Sequence, residues 1–408
     1  MRLHRKISWH AYCSQEGANS MNLKVMDILK KYTMTLALIA VVIFFYVNTG
    51  GKILFPQNIN NLISQNAYVF VLAAGMLLCI LTGGNIDLAC GSVVCFVGGI
   101  GAVMMDANIN EWVAVIVMII GGLLVGAWQG FWIAYIKVPP FIATLAGMYA
   151  FRGLSNIVLQ GYAVGIRNEV FLNVFGGGAD CYVPDFFGGA NMNVTCVVAG
   201  VVIAVVYVAL VLKNRISAQS KGYEVTPLYS ELAKMIIICA VVIWIFYKLA
   251  NYKGIPAALI WIVVVLLAYA YITSNTTMGR YLYAVGGNEK ATRLSGIDPR
   301  KIYFFAYVNM GLMSGLAGIL TVARATQAQP TFGQGYEMDA IAACFIGGAS
   351  AYGGEGNVFG VVIGAVLMGV INMGMSIMGV NANYQKVVKG IVVLLAIIFD
   401  VLSNKKKK

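Results

Sequence analysis

Histidine is almost missing from this 408-residue chain: His4 and His10 are the only two. Both precede the apolar body, which therefore has no imidazole for acid–base chemistry or for zinc and copper ligation. Charge is scarce as well, at 11% against about 25% in soluble domains. The eight cysteines form no Cys-x-x-Cys pair. Cys79, Cys90, Cys95, Cys196, Cys239 and Cys344 lie in apolar runs, where a thiol acts as a small hydrophobe. Cys181 stands alone in a polar stretch and Cys13 lies near the N-terminus, so no disulfide framework is expected. No phosphate-binding loop, zinc-protease motif, Gly-x-Ser-x-Gly elbow or dinucleotide fingerprint occurs. With no hydrolytic machinery and no metal set, the chain is not expected to be an enzyme or to hold a cofactor. If ATP energises it, a partner must do the hydrolysis.

What remains is apolar. Hydrophobic residues make up 60% of the chain and glycine supplies 46 positions, the composition of closely packed membrane helices. The fold expected is an all-α polytopic membrane protein. Apolar runs fall at 33–48, 62–82, 87–105, 112–135, 139–160, 193–213, 234–250, 255–275, 302–323, 355–378 and 385–401. A shorter run at 338–350 falls below the ~20 residues needed to span a bilayer and predicts a half-helix or broken helix. Ten to twelve transmembrane helices follow, in one domain over 33–403, with an N-terminal segment 1–32 and a basic tail 404–408. Residues 1–20 are polar and unpatterned, and translation from Met21 is the expectation.

The net charge of +12 sits in short loops and at the termini, with no aromatic-interleaved patch for nucleic acid. Alternating spans from a cytoplasmic N-terminus leave 20 of the 28 Lys and Arg residues on the cytoplasmic side, which places both termini there. Lys248 and Lys253 flank an external turn and are exceptions. The ridges Gly122-x3-Gly126-x3-Gly130, Gly311-x3-Gly315 and Gly356-x3-Gly360-x3-Gly364 predict close helix crossings.

Two stretches interrupt the apolar runs. TGGNIDLACGS at 82–92 carries Asn85 and Asp87; GGASAYGGEGN at 347–357 begins at Gly347 and Gly348 and follows Glu337 and Asp339. Each reads either as a tight surface loop or as unwound helix beside a substrate path. Asp87 is placed to cap the following helix, and Glu337 and Asp339 to meet a helix dipole. These six residues are the translocation-path candidates. Asn66, Tyr68, Tyr149, Asn156, Asn309, Gln327 and Asn372 could hydrogen-bond hydroxyls or glue helices together.

One polar island, 279–301, lies between apolar runs. Asn288 is an N-cap, 289–295 gives about two helical turns, and Gly296 closes them as C′. Asp298-Pro299 then reads as N-cap and N1 of the next helix. On composition alone the short helix is either a connector or a docking surface.

Three motifs together resemble the membrane permease subunit of bacterial ABC-type monosaccharide importers, over roughly 60–400. TGGNIDLACGS is similar to the family's TGGIDLSVGS, with Asn85 inserted and Ala89-Cys90 in place of Ser-Val. GRYLYAVGGNEKATRLSGID resembles the loop that docks on the ATPase. YEMDAIAACFIGGASAYGGEGNVFG resembles the family's Glu-Leu-Asp-Ala-Ile-Ala-Ala segment and its glycine-rich sequel, with Met338 in place of Leu. The length and the apolar pair at 234–275 resemble the xylose and multiple-monosaccharide types. The resemblance implies a coupling helix formed by Asn288, Glu289, Lys290, Ala291, Arg293, Leu294, Ser295, Gly296 and Ile297. It also implies a partner ATPase carrying the ATP, a periplasmic or lipid-anchored sugar-binding protein, and a second permease copy, in the bacterial cytoplasmic membrane. The competing expectation is an ion-coupled secondary transporter with Asp87, Glu337 or Asp339 binding the cation.

Overall fold

The computed structural model describes residues 34–189, 192–223, 225 and 227–405. The predicted segment 1–32, the start at Met21 and the end of the basic tail lie outside the described residues.

Sixteen α-helices and one two-residue β-ribbon are described. They are α1 (34–48), α2 (Pro56–Gln65), α3 (Ala67–Leu81), α4 (Cys90–Asp106), α5 (Glu111–Ala134), α6 (Pro140–Leu159), α7 (Glu169–Phe175) and α8 (Val194–Ser220). Then follow α9 (Leu228–Ala250), α10 (Ala257–Asn275), α11 (Thr277–Gly287), α12 (Glu289–Leu294), α13 (Pro299–Ala325), α14 (Tyr336–Ile346), α15 (Val358–Ile377) and α16 (Ala382–Lys405). The ribbon pairs β1 (Val164–Gly165) antiparallel with β2 (Gln327–Ala328), Val164 opposite Ala328. It marks one end of the bundle, and α12 marks the other.

Local chemistry sets the helix starts. Asn110, Asn193, Asn357 and Asp298 each accept a backbone N–H of the first turn, at 2.9, 2.9, 2.6 and 3.1 Å, satisfying donors that the helix itself cannot. Seven helices are long and apolar enough to cross a membrane, and the bent pair α2–α3 adds an eighth. Ten to twelve were predicted; among the described residues α1 and α4 are apolar but shorter than these spans. The expected single span 62–82 is broken: α2 and α3 meet at 42°. Asn66 stands at the bend, its side chain donating to the Leu62 carbonyl at 2.9 Å, a local competition with the helix ladder that bends helices.

α3 is the axis, and nearly all of it is buried. α13, α14, α15 and α10 surround it. The glycine ridges do what their spacing predicts. Gly122 and Gly126 of α5 lie against Gly311 and Gly315 of α13, so close that a Cβ at Gly122 or Gly311 would overlap the other's carbonyl. Gly360 and Gly364 of α15 meet Gly347 and Ala343 at the end of α14. Gly356, the first member of that ridge, precedes α15 and belongs to a loop. At the periphery, α8 and α9 form a hairpin with only 17% and 11% of their apolar windows buried, against 72% for α13. Arg215 of α8 pairs with Glu231 of α9 near its turn.

Candidate functional site

α12 forms as its punctuation predicts. Asn288 Oδ1 accepts the Ala291 N–H at 3.0 Å. Gly296 takes φ +86°, where the left-handed backbone closes the helix. The helix ends at Leu294, one residue before the predicted 295. Thr292 is its single buried residue. Lys290, Ala291, Arg293 and Ser295 are exposed, and Leu294 is 90% exposed. An uncovered leucine at the tip of a capped helix is an apolar knob with polar neighbours. Tyr303 of α13 donates its hydroxyl to Glu289 Oε2 at 3.0 Å, which ties the knob to the longest buried helix. Beside α12, Asn85, Lys137, Arg293 and Tyr303 line a cleft of about 560 Å³. Ile297 and Gly296 form its rim.

The stem of α12 was not legible in the island. Residues 277–287 form α11, capped by Thr276 Oγ1 accepting the Gly279 N–H at 3.1 Å. Leu282 and Val285 are its buried face. Thr276 as cap, with apolar Met278, Leu282 and Val285 at helical spacing, was the available signal. The stem ends in contact with both glycine-rich segments. A Cβ on Gly286 would overlap the Leu81 carbonyl, and one on Gly84 would overlap the Ala351 carbonyl. The Gly354 N–H donates to that same Leu81 carbonyl at 3.0 Å. Backbone therefore meets backbone where α3, the 82–89 segment, the α11–α12 stem and the 347–357 loop converge.

Each interrupted stretch is part surface and part interior. Gly83 is exposed and Gly84 to Ile86 are half-buried, with Asn85 at the cleft, whereas Asp87, at 2% exposure, and Leu88 to Cys90 are buried. Asp87 Oδ1 accepts the Ala89 N–H at 2.8 Å. The expected capping of α4 by Asp87 is not found: the N-cap is Ala89, without a side-chain cap bond, and Asp87 closes a turn onto that residue instead. The predicted half-helix is α14: its eleven residues rise about 16 Å, half of a ~30 Å hydrocarbon core. Its start meets the start of α4, where Gly91 lies against Gly333 and the Glu337 carboxylate. Glu337 Oε1 accepts the Gly335 N–H at 3.2 Å. Arg152 of α6, which the sequence did not single out, donates to the Pro330 and Phe332 carbonyls at 3.1 and 2.6 Å and holds the turns leading into α14.

Asp339 has a role beyond the expected dipole partner. It is fully buried, and its Oδ2 accepts from both Lys389 Nζ at 2.9 Å and the Tyr68 hydroxyl at 2.6 Å. Tyr68 stacks on Tyr336 with ring centroids 3.6 Å apart. Both rings line a second cleft of about 350 Å³, with Thr321, Arg324 and Phe332, nearer the ribbon end of the bundle. Gly347 and Gly348 lie away from it: Gly347 ends α14 against Gly360 of α15, and Gly348 beside it is exposed. The six path candidates thus divide: Asn85 at the α12 cleft, Asp87 and Glu337 at the α4–α14 meeting, Asp339 behind the second cleft, and the glycines at the α14–α15 crossing.

Residues 58–397 match the family described as "Branched-chain amino acid transport system / permease component". The chain belongs to this permease family. It is 36% identical over 394 residues, 95% of this chain and 98% of the relative, to the xylose transport system permease protein of Haemophilus influenzae. Identity to the xylose transport system permease protein of Escherichia coli is 33% over 396 residues, covering 96% and 95%. To the ribose import permease protein of Escherichia coli it is 34% over 352 residues, covering 86% and 87%. No solved structure matches the chain. The resemblance to the permease subunits of monosaccharide importers holds at the family level, and the chain is a multi-pass inner-membrane transport component.

Proposed function

We propose that this chain is the membrane permease of an ATP-driven importer that carries a monosaccharide, xylose or a related pentose or hexose, across the cytoplasmic membrane. α12 docks on a partner ATPase, which binds and hydrolyses the ATP; a periplasmic or lipid-anchored sugar-binding protein delivers the sugar to the ribbon end. Two copies of the permease line the path, with membrane lipid around them. Both termini and α12 face the cytoplasm, as the distribution of Lys and Arg supports. The observation that carries this reading is α12 itself. A capped helix that exposes Ala291, Leu294 and Ser295 offers a small apolar face to a groove, with Lys290 and Arg293 for contacts at its rim. Asn288 and Gly296 fix its two ends, Glu289 anchors it to α13, and Ile297 leads back into the bundle. Closure of the ATPase pair pushes α12, and the backbone contact at Gly286, Leu81 and Gly354 passes the push inward. The ion-coupled alternative loses one of its three candidates, because Lys389 already meets the charge of Asp339.

Arg293→Glu combined with Leu294→Asp tests the docking role. In proteoliposomes holding the complete importer, the double variant is expected to cut sugar uptake at least tenfold while the permease elutes from size exclusion as the wild type does. Wild-type uptake by the double variant would refute it.

A further inference from the structure

The second cleft, on the ribbon side, has features that no docking or packing role requires. Two tyrosines form one wall, stacked at 3.6 Å and 13° from parallel. Around them stand side chains that donate or accept hydrogen bonds: Ser64, Gln65, Thr321 and Arg324. No carboxylate lines it. Arg324 is committed at one atom only, Nη2 donating to Asn61 at 3.3 Å. Its Nε is buried without a partner among the described residues. The volume of about 350 Å³ is at the low end of small-molecule sites, roughly 300–1,000 Å³, which suits one sugar ring and excludes longer saccharides.

We propose that this cleft is a transient holding site for the monosaccharide, with the Tyr68–Tyr336 stack as the platform for the apolar face of the sugar ring. The inference rests on the sugar-permease reading above. Hydroxyls on the ring edge meet Thr321, Gln65 and Arg324, while the C–H face lies on an aromatic wall. The absence of a fixed anion favours a neutral polyol over a cation. Few fixed partners also keep the site weak, as a site on a pathway must release what it takes.

Asp339 and Lys389 are positioning residues for the platform. The Tyr68 hydroxyl donates to Asp339 Oδ2, and Lys389 Nζ donates to the same oxygen. That ring is held at its hydroxyl and at its face. Tyr336 is the first residue of α14, and α14 ends at Ile346, just before the loop that touches the α12 stem. A displacement started at α12 therefore reaches the platform through one short helix, and tilting Tyr336 off Tyr68 releases the sugar.

The test uses the complete importer in proteoliposomes, with loaded binding protein at saturation so that its own affinity no longer limits uptake. Tyr336→Leu is expected to lower xylose transported per ATP at least fivefold and to change the xylose-to-glucose uptake ratio; Tyr336→Phe restores both. A second measurement leaves the platform intact: Gln65→Cys on the rim is labelled with a maleimide, and 10 mM xylose in the working complex is expected to slow labelling at least threefold. The proposal is overturned if Tyr336→Leu keeps both the wild-type yield per ATP and the uptake ratio, or if xylose leaves the labelling rate unchanged. If the wild type moves no sugar of a pentose and hexose panel in an ATP-dependent way, it is the sugar-permease reading that falls.

Discussion

Inside a membrane bundle a carboxylate keeps its charge only if something meets it. Asp339 is met twice, by Lys389 and by Tyr68. Removing one partner of such a pair strands the other charge, a loss of about 3–5 kcal/mol, whereas removing both leaves packing to carry the contact. Lys389→Met alone should lower the thermal unfolding midpoint of the detergent-purified permease strongly. Lys389→Met with Asp339→Asn should recover at least half of the loss. Equal losses in the single and double variants would deny the pair its role. The sequence showed Asp339 next to an apolar run, and dipole pairing was the local explanation. Its actual partner stands fifty residues further on, on a helix whose register against α14 no linear pattern reveals.

Among the elements, those with their instructions written locally were the legible ones. α12 was found from Asn288 and Gly296 because a cap and a left-handed closing glycine act on neighbouring backbone. The 82–92 stretch was left between two readings because burial of Asp87 depends on a distant element, α3, whose Met76 sulfur accepts the Asp87 N–H at 3.4 Å, not on its neighbours. The loop leading into α8 shows local encoding again. Asp185 accepts from the N–H groups of Gly189, Val194 and Thr195 at 2.8, 3.1 and 3.1 Å, and from the Thr195 hydroxyl at 2.8 Å. The Gly189 N–H foremost, with the donors of Thr195 and Val194, holds the Asp185 carboxyl well below the usual carboxylate range. A depressed folded pKa gives stability that is complete above the unfolded value, near 3.9, and is lost as pH falls below it. Hydrogen exchange at Val194 and Thr195 should therefore be protected at neutral pH and lose that protection in acid. In Asp185→Asn protection should be weak throughout. Equal protection in both proteins at neutral pH would remove the clamp.

At the scale of the whole molecule, the glycine spacing revealed which helices approach closely but not which ridge meets which. Gly122 on Gly311 and Gly360 on Gly347 are pairings that only the assembled bundle decides. The same holds for the contact of Gly286 with Leu81, where two backbones touch without side chains between them. A compliant side chain there would absorb motion; bare backbone transmits it. Gly286→Val should therefore separate the two activities of the importer, with ATP hydrolysis continuing and sugar uptake per ATP falling at least fivefold in proteoliposomes. Wild-type uptake per ATP in that variant would show that motion travels by another route.

The Lys389–Asp339 pair also bears on how the protein is made. α16 is the last of the described helices to leave the ribosome, and it carries Lys386 and Lys389 in its first turns. A lysine in an isolated span is costly to bury unless it snorkels to the interface or finds a counter-charge. Asp339, emerging fifty residues earlier, provides a waiting counter-charge. Packed on α14, α16 has that charge met by Asp339; alone it would carry the cost itself. A chain truncated ahead of α16 would leave the buried Asp339 with the Tyr68 hydroxyl alone and no counter-charge.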